Sequence, residues 1–254
     1  MSKKESQYLA GRYACQTDVG RVRANNEDRV VALTNEKGNV LLIVCDGMGG
    51  QNKGDYASTL ATKVISDSFN SKGHFFSAVS AARWMHKIVR EANEEIYEES
   101  CQKPSYKGMG TTLSMVLIMK NRMMIAHAGD SRIYKIDPNN NVLEQVSDDQ
   151  TYVNYLYKTG QIKKEEMLSH PKRHILMNAI GIYPSANIDF LSLPYHHEQI
   201  MLCSDGLYNN VSNSTIESIL LTDDTPDEKV TKLISIANHN GGSDNIACIV
   251  WEAL

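Results

Sequence analysis

The sequence predicts a layered α+β fold in which two β-sheets are stacked on each other and helices cover a sheet face. Eight short runs have the composition of strands, which is enough for two sheets. One of them, Val40 to Cys45, is apolar at every position, as in a strand covered on both faces. A long amphipathic stripe begins at Ala81 and predicts a covering helix. Sandwiches often reach about 200 to 250 residues as one unit, so we expect residues 1–254 to form a single domain.

The predicted strands recur along the chain and are separated by turn residues. Each is rich in β-branched, aromatic or other apolar side chains, which suit a pleated and partly buried surface. Their bounds are Tyr13 to Thr17, Arg29 to Leu33, Val40 to Cys45, Leu113 to Met119, Met123 to Ala128, Ile133 to Ile136, Gln199 to Cys203 and Ile246 to Trp251.

Helical periodicity appears in three places between the strands. Apolar residues recur at three- and four-residue steps from Asp55 to Phe69 and again from Ala81 to Ile96, which predicts two helices on one sheet face. A third helix is expected to begin after Thr225, because threonine, proline and glutamate occupy the cap, first and third positions. This third helix is expected to end at the Asn-Gly-Gly sequence at 240–242. The polar segment from Ser147 to Pro184 predicts a surface flap subdomain instead.

Composition and charge narrow the classes of function. Hydrophobic residues make up 42% and charged residues 22% of the chain, which is typical of a globular protein. The net charge of -4, without a basic run interleaved with aromatics, argues against nucleic-acid binding. Residues Met1 to Arg12 lack an apolar signal core, and no apolar run is long enough to span a membrane. Five cysteines without a C-x-x-C pair suggest reduced thiols, so we expect a cytoplasmic protein. We also expect a monomer.

Three of the predicted strands run directly into or out of an aspartate. Asp46-Gly47 follows the strand that ends at Cys45, Asp205 follows the strand that ends at Cys203, and Asp244 precedes the last strand. Hard cations such as Mg²⁺ and Mn²⁺ prefer oxygen ligands, and strand ends hold carboxylates firmly. A single Asp-Gly pair is more often a simple turn, but the repetition favours a metal site.

Further polar residues strengthen this interpretation. Glu27 and Asp28 precede a strand, and Asp130 lies between two strands. Arg23 could hold two phosphate oxygens in a fork. By itself it would more often form a surface salt bridge, but the acidic cluster reverses this preference. The eight histidines are scattered without zinc-ligand spacing.

Six motifs in these regions resemble those of the PPM or PP2C-type metal-dependent Ser/Thr protein phosphatases, most closely their compact bacterial branch. Any one motif would be a weak signal, but six in order are a strong one. The matching segments are Thr17 to Asp28, Asp46 to Gly50, Gly110 to Thr112, Ala128 to Arg132, Ser204 to Leu207 and Gly242 to Ile246. The resemblance implies a four-layer α-β-β-α fold with a central antiparallel β-sandwich flanked by helix pairs.

The resemblance also implies roles for the acidic residues. Asp46 would bridge two Mn²⁺ or Mg²⁺ ions, the Gly47 carbonyl would ligate one of them, and Asp205 and Asp244 would ligate the other. Asp130, together with Asp205, matches the position of a third Mn²⁺ or Mg²⁺ in bacterial relatives. Two further acidic residues and one cation complete the implied site: Glu27 and Asp28 would act largely through ordered waters, and Arg23 would bind the phosphate.

The implied activity is hydrolysis of phosphoserine and phosphothreonine in proteins by direct attack of a metal-activated water. The expected partners are phosphoproteins, including a Ser/Thr protein kinase and its substrates. One departure concerns the histidine that some relatives carry after Asp-Gly, because this chain has Met48 and Gln51 there. His170 and His174 are weak alternatives as proton donors. Two other readings stay open: an inactive PPM-like binding module, and a phosphatase of a partner-switching regulator or of a small phosphoester.

Overall fold

The computed structural model describes residues 11–49, 53–72, 74–137 and 139–254. Residues 1–10 and the motif positions Gly50 and Gln51 lie outside these ranges. Within them the chain forms eleven strands, named in chain order: β1 Gly11–Asp18, β2 Asp28–Thr34, β3 Val40–Met48, β4 Gly110–Thr111, β5 Leu113–Met119, β6 Arg122–Ala128, β7 Arg132–Ile136, β8 Leu143–Gln145, β9 Asp189–Pro194, β10 Gln199–Cys203 and β11 Ile246–Ala253.

The helices of the described residues are numbered in the same way. They are α1 Lys53–Lys72, α2 Ala78–Gln102, α3 Tyr152–Lys158, α4 Lys164–Met167, α5 Asp205–Tyr208, α6 Asn213–Leu220 and α7 Pro226–His239, and a short 3₁₀ turn covers Pro104–Tyr106. None of these helices has both the length and the hydropathy that crossing a lipid bilayer requires.

The strands form two antiparallel sheets. One has the order β1-β11-β10-β7-β8, and the other has the order β2-β3-β5-β6-β9 with β4 paired to β3. All eight predicted strands are present. The predicted antiparallel β-sandwich is therefore confirmed.

The inner core lies between the two sheets and explains the wholly apolar run in β3. Val40, Leu42 and Val44 point into this core, where they pack in one cluster with Leu202 and Trp251 of the other sheet. The alternate residues of β3 point outward because successive side chains of a strand face opposite sides. Each fully buried large apolar side chain contributes about 1.5 to 3 kcal/mol, so both faces stabilise the fold.

Helices cover the outer face of each sheet. Leu41 and Ile43 of β3 pack with Ile65 of α1 and with Met85 and Ile96 of α2 in a second core cluster. A third cluster joins the other sheet to α6 and α7 through such residues as Ile216, Leu233 and Cys248. These layers confirm the predicted four-layer α-β-β-α arrangement.

The predicted start of α7 is also observed. The Thr225 hydroxyl accepts a hydrogen bond from the backbone N–H of Glu228 at 3.4 Å, and the Glu228 carboxylate accepts one from the backbone N–H of Thr225 at 2.8 Å. This reciprocal pair satisfies backbone donors that would otherwise be unpaired at the helix start.

The elements that the sequence did not predict are short or polar. Strand β4 has only two residues, β8 is largely polar, and β9 ends in a proline. Their local patterns are too short to show periodicity, and tertiary pairing selects their conformation. The segment 147–184 contains α3 and α4. An isolated bridge between Thr111 and Ile180 joins it to the rest of the fold, and a second bridge, between Thr151 and Leu176, lies within the segment.

Candidate metal centre

The acidic residues converge because of the way the strands are paired. Asp28 at the start of β2 lies directly opposite Asp46 near the end of β3. Strand β10 runs antiparallel to both β7 and β11, so its carboxyl end lies beside their amino ends. Asp205 follows β10, whereas Asp130 precedes β7 and Asp244 precedes β11. The sheets thus present all five aspartates at one end of the sandwich.

A cleft of about 650 Å³ lies at this end. Seven of the eight predicted site residues line it: Arg23, Glu27, Asp46, Gly47, Asp130, Asp205 and Asp244. Met48, Gly49, His174, Leu176 and Asn245 complete its lining. Asp28 lies beneath the surface and is fully buried. The sequence-predicted site residues are therefore brought together in space.

The carboxylates strongly repel one another. Burial raises the pKa of Asp46 well above its ordinary value, and the charges of Asp28, Asp205, Asp130 and Asp244 raise it further. Burial, assisted by the charge of Asp205, raises the pKa of Asp130 to about 8. Burial and the neighbouring charge of Asp244 raise the pKa of Asp205 to about 6. Burial and the neighbouring carboxylates both disfavour the charged forms of these side chains, and a cation in the cleft would offset both effects.

Positive charge within the cleft is scarce. Arg23 is the one described lining residue with a permanently charged cationic group, and its side chain is 55% exposed. Its Nη2 atom lies 2.7 Å from Oδ2 of Asp244. One arginine cannot neutralise four lining aspartates and a glutamate, so the charge balance fits bound divalent cations.

Asp28 provides a second observation that fits a cation site. Its Oδ2 atom accepts a hydrogen bond of 2.6 Å from the Ser204 hydroxyl, whereas its buried Oδ1 atom has no hydrogen-bond partner among the described residues. Burial and the charges of Asp205 and Asp244 raise the Asp28 pKa to about 7. An unpaired buried carboxylate oxygen is costly unless water or a cation meets it.

The side chains alone do not enclose an ion. No three His, Cys, Asp or Glu side chains of the described residues are placed to hold one metal together. Asp244 directs one oxygen to Arg23, and Asp205 accepts a 3.1 Å hydrogen bond from Asn209. A cation here would therefore also need backbone carbonyl and water ligands, which Mg²⁺ and Mn²⁺ accept readily.

Gly47 leaves its backbone bare at the cleft. A Cβ atom on this residue would lie 2.1 Å from the carbonyl oxygen of Gly54, at the start of α1. The close packing of α1 against β3 thus requires glycine at this position, which also lines the cleft.

Two threonines fix the position of Asp46. The Thr112 hydroxyl accepts a 2.9 Å hydrogen bond from the backbone N–H of Asp46 and shares one of 2.8 Å with Ser131. The Thr111 hydroxyl donates to the Asp46 carbonyl oxygen at 2.9 Å. The Gly-Thr-Thr motif was recognised in the sequence, but these roles were not, because they depend on pairing between β3 and β4.

Asn245 holds the loop that carries Arg23 and Glu27. Its side-chain oxygen accepts a 2.8 Å hydrogen bond from the Glu27 N–H, and its amide nitrogen donates to the carbonyls of Val19 and Asn25, both at 2.9 Å. The asparagine in the last motif is thus a scaffold of the site. Only its position next to Asp244 could have suggested this from the sequence.

The two candidate histidines of the segment 147–184 have different positions. His174 lines the cleft together with Asp130 and Asp205, whereas His170 is not among the lining residues. The Nδ1 atom of His170 accepts a 3.1 Å hydrogen bond from the backbone N–H of Lys172. Met48, at one position where some relatives have histidine, lines the cleft but has no proton to donate.

Known proteins share both this sequence and this fold. The family model described as Protein phosphatase 2C matches residues 16–249. Serine/threonine phosphatase stp of Listeria monocytogenes serotype 4b is 37% identical over 238 residues, which cover 93% of this chain and 94% of that protein. The crystal structure of the Mycobacterium tuberculosis serine/threonine phosphatase PstP/Ppp has a TM-score of 0.87 and 33% identity, covering 96% of this chain and 99% of that one.

A second solved structure bears on the metal site. It is the catalytic domain of serine threonine protein phosphatase PstP in complex with two manganese ions, with a TM-score of 0.85, 32% identity, and coverage of 97% of this chain and 99% of that one. The family match spans most of the chain and includes every aspartate of the cleft. The resemblance seen in the motifs is confirmed, and the chain belongs to the protein phosphatase 2C family.

Proposed function

We propose that this protein is a metal-dependent protein phosphatase that hydrolyses phosphoserine and phosphothreonine residues. The observation that carries the proposal is the cleft in which Asp46, Asp130, Asp205 and Asp244 converge with Arg23 beside them. Family membership and the activity named for stp of Listeria monocytogenes support it. The PstP structure with two manganese ions supports Mn²⁺ or Mg²⁺ as the cofactor.

Asp46, Gly47, Asp205 and Asp244 are proposed to hold two cations. The Asp46 carboxylate would be shared by both ions, the Gly47 carbonyl would ligate one, and the carboxylates of Asp205 and Asp244 would ligate the other. Cations held there would lower the pKa of a bound water, making it a nucleophile for phosphorus, and would neutralise charge on the phosphoryl group. The hydroxyl of Thr112 keeps the Asp46 backbone in place for this role.

Three further residues complete the proposed site. Glu27 and Asp28 act through ordered water, which suits the buried and unpaired Oδ1 atom of Asp28. Arg23 binds the non-bridging oxygens of the phosphate, because its guanidinium is exposed at the cleft and presents parallel N–H donors. Arg23 then exchanges part of its contact with Asp244 for the substrate.

A thiol nucleophile is disfavoured by the burial of the nearby cysteines. Cys45 and Cys203 are fully buried in β3 and β10. Burial raises the pKa of Cys203 to about 12 and the pKa of Cys45 further. Neither side chain forms a thiolate at neutral pH, so hydrolysis proceeds without a cysteinyl-phosphate.

Asp130 and Asp205 are proposed to hold a third, weaker Mn²⁺ or Mg²⁺ ion. The charge of Asp205 contributes to the raised pKa of Asp130, and a cation shared by the two carboxylates would relieve this repulsion. The segment 147–184 is proposed to act as a flap within a single domain, and His174 brings it to the cleft. We assign phosphoproteins as substrates, among them a Ser/Thr kinase and its targets, and a cytoplasmic monomer as the working form.

Activity measurements test this proposal. Purified protein should hydrolyse p-nitrophenyl phosphate and phosphothreonine peptides with Mn²⁺ or Mg²⁺ and lose this activity in EDTA. Full activity after exhaustive chelation would contradict the two-metal site. Metal binding without turnover on any phosphoester would instead favour an inactive binding module, and turnover confined to small phosphoesters would change the substrate class.

A further inference from the structure

Strand β9 leaves one edge of its sheet open. It pairs with β6 and is the end strand of that sheet among the described residues. The backbone N–H of Tyr195 donates to the carbonyl of Asn121 at 3.1 Å and continues the ladder to β6. Because antiparallel residues alternate, the N–H and C=O groups of Phe190 and Ser192 point away from β6. These groups form a template for one more strand.

A cavity of about 570 Å³ lies on one side of this edge. Tyr155, Met177 and Leu191 line it and are 48%, 53% and 39% exposed. Large apolar side chains that remain exposed within a concave surface are typical of interaction sites. The amides of Asn154 and Asn178 add polar groups to the same cavity, and its charged lining residues are Lys158, Asp148, Asp149 and Asp189. Each of these carboxylates already has a partner: Asp148 pairs with Lys158, Asp149 pairs with Arg132, and Asp189 accepts a hydrogen bond from the Gln150 amide.

A smaller hollow of about 160 Å³ lies between β9 and α2. Phe190 and Ser192 line it, and the ring of His86 lies 3.6 Å from that of Phe190. The adjoining surface of α2 is basic and carries Arg83, Lys87 and Arg90.

Among the three cationic side chains of this surface, Arg83 has the positive charge that is least compensated by nearby carboxylates. Lys87 lies 3.3 Å from Glu91 and Arg90 lies 3.6 Å from Glu94, both across one helical turn. Arg83 has no acidic partner among the described residues.

We propose that the open edge of β9 binds an extended, acidic segment of a partner protein as an additional strand. Alternate side chains of a strand point to opposite faces. Apolar residues of the ligand would enter the cavity beside Tyr155 and Met177, and the intervening acidic residues would face Arg83 on α2. Main-chain hydrogen bonds to Phe190 and Ser192 supply affinity, and the two faces supply specificity.

A second copy of this chain is a poorer occupant of the same edge. Pairing β9 with β9 would bring the basic surfaces of two α2 helices close to each other, and like charges oppose such an approach. The proposal does not depend on the proposed phosphatase activity, because neither face is lined by a carboxylate assigned to the metals.

Fluorescence anisotropy with a short labelled peptide of alternating valine and glutamate tests the proposal. Ser192→Pro removes the outward N–H while an edge strand tolerates proline. Ser192→Ala is its matched control, because both variants lose the 3.1 Å hydrogen bond from Arg122 to the Ser192 hydroxyl. Arg83→Glu tests the contribution of the positive charge on α2. Its control is Lys63→Glu, at an exposed lysine of α1 that lines neither the cavity nor the hollow.

We expect saturable binding of the valine–glutamate peptide and much weaker binding of its valine–lysine counterpart. Ser192→Pro should weaken binding roughly three- to tenfold relative to Ser192→Ala, as expected for one lost hydrogen bond. Arg83→Glu should weaken it in a salt-dependent manner, and Lys63→Glu should not. Turnover of p-nitrophenyl phosphate by all four variants monitors folding.

Three outcomes would overturn the inference. The first is the absence of saturable peptide binding, and the second is equal affinity for Ser192→Pro, Arg83→Glu and their controls. The third is a wild-type dimer in sedimentation that Ser192→Pro dissociates, because a second copy would then occupy the edge.

Discussion

The guanidinium of Arg23 and the carboxylate of Asp244 are joined by a 2.7 Å salt bridge between residues 221 positions apart in the chain. The two side chains are 55% and 34% exposed, so solvent screens their attraction. Exposed pairs of this kind contribute about 0 to 1 kcal/mol to stability. The contact therefore matters mainly because it places a phosphate-binding group beside a proposed metal ligand.

Replacing Arg23 should affect substrate binding more than metal binding. Arg23→Ala should raise KM for phosphothreonine peptides about tenfold, because two charge-assisted hydrogen bonds to phosphate are lost. Calorimetric titration with Mn²⁺ should give nearly wild-type affinity. Arg12→Ala is a matched control, since Arg12 pairs with Glu252 away from the cleft. A large loss of Mn²⁺ affinity in Arg23→Ala would assign the residue to the scaffold.

Substitution of Asp46 should lower turnover on every substrate, whereas substitution of Asp130 should lower it mainly for phosphothreonine. Asp46→Asn removes a charge that both proposed core cations would share and should reduce turnover on every substrate by about 1000-fold or more. Asp130→Ala should keep the core pair and lower turnover mainly for phosphothreonine, whose leaving group needs a proton more than p-nitrophenolate does. No histidine can donate that proton from position 48, because this chain has Met48 there.

Rates of both variants on both substrates at saturating Mn²⁺ check this difference. Equal fractional losses in Asp130→Ala would exclude its part in protonating the leaving group. Wild-type rates in Asp46→Asn would contradict the whole site assignment.

Stability without metal should fall as the pH rises from about 7 to 8. Folding raises the pKa of Asp28 to about 7 and of Asp130 to about 8, so the folded chain binds more protons than the unfolded chain. Each such group lowers the free energy of unfolding by at most about 1.4 kcal/mol per pH unit in this window. The pKa of His127 is lowered by burial, so this side chain is neutral in both states above pH 7.

Thermal unfolding in EDTA across this pH range measures the effect. Added Mn²⁺ should raise Tm more at pH 8 than at pH 7, because metal ions and protons compete for the same carboxylates. Asp28→Asn should flatten the pH dependence in EDTA. A Tm that rises with pH in EDTA would contradict the raised pKa values.

Thr112 should be important for both stability and metal affinity. Thr112→Val keeps the shape of the side chain but leaves the buried backbone N–H of Asp46 without its acceptor. We expect a loss of about 1 to 3 kcal/mol in the free energy of unfolding and weaker Mn²⁺ binding. Thr112→Ser retains the hydroxyl and is the matched control. Equal urea midpoints for the valine and serine variants would refute the role assigned to this hydrogen bond.

The sequence was sufficient to predict the central strands and the members of the acidic cleft. Val40 to Cys45 and the aspartates at strand ends carry local signals, namely continuous hydrophobicity and turn chemistry. The convergence of Asp46 with Asp205 was implied by the resemblance of the motifs, because the assignment of strands alone does not show at which end of an antiparallel sandwich each strand terminates.

Other features depend on contacts between distant segments. The Asn245 amide donates hydrogen bonds to the carbonyls of Val19 and Asn25, and the Thr112 hydroxyl accepts one from the backbone N–H of Asp46. No local sequence pattern predicts these contacts. Strand β9 carries a proline and little periodicity, so its pairing with β6 decides its conformation. Such residues are determined by register rather than by propensity.

The pairing of β1 with β11 along their full length has a consequence for biosynthesis. On the ribosome, β1 emerges early but finds its neighbour only after β11 has been synthesised. Asp244 precedes β11 directly, so the same event completes the cleft. A nascent chain that lacks this strand leaves β1 without its neighbour and Asp244 without its place in the cleft, so we expect phosphatase activity only after β11 has been synthesised.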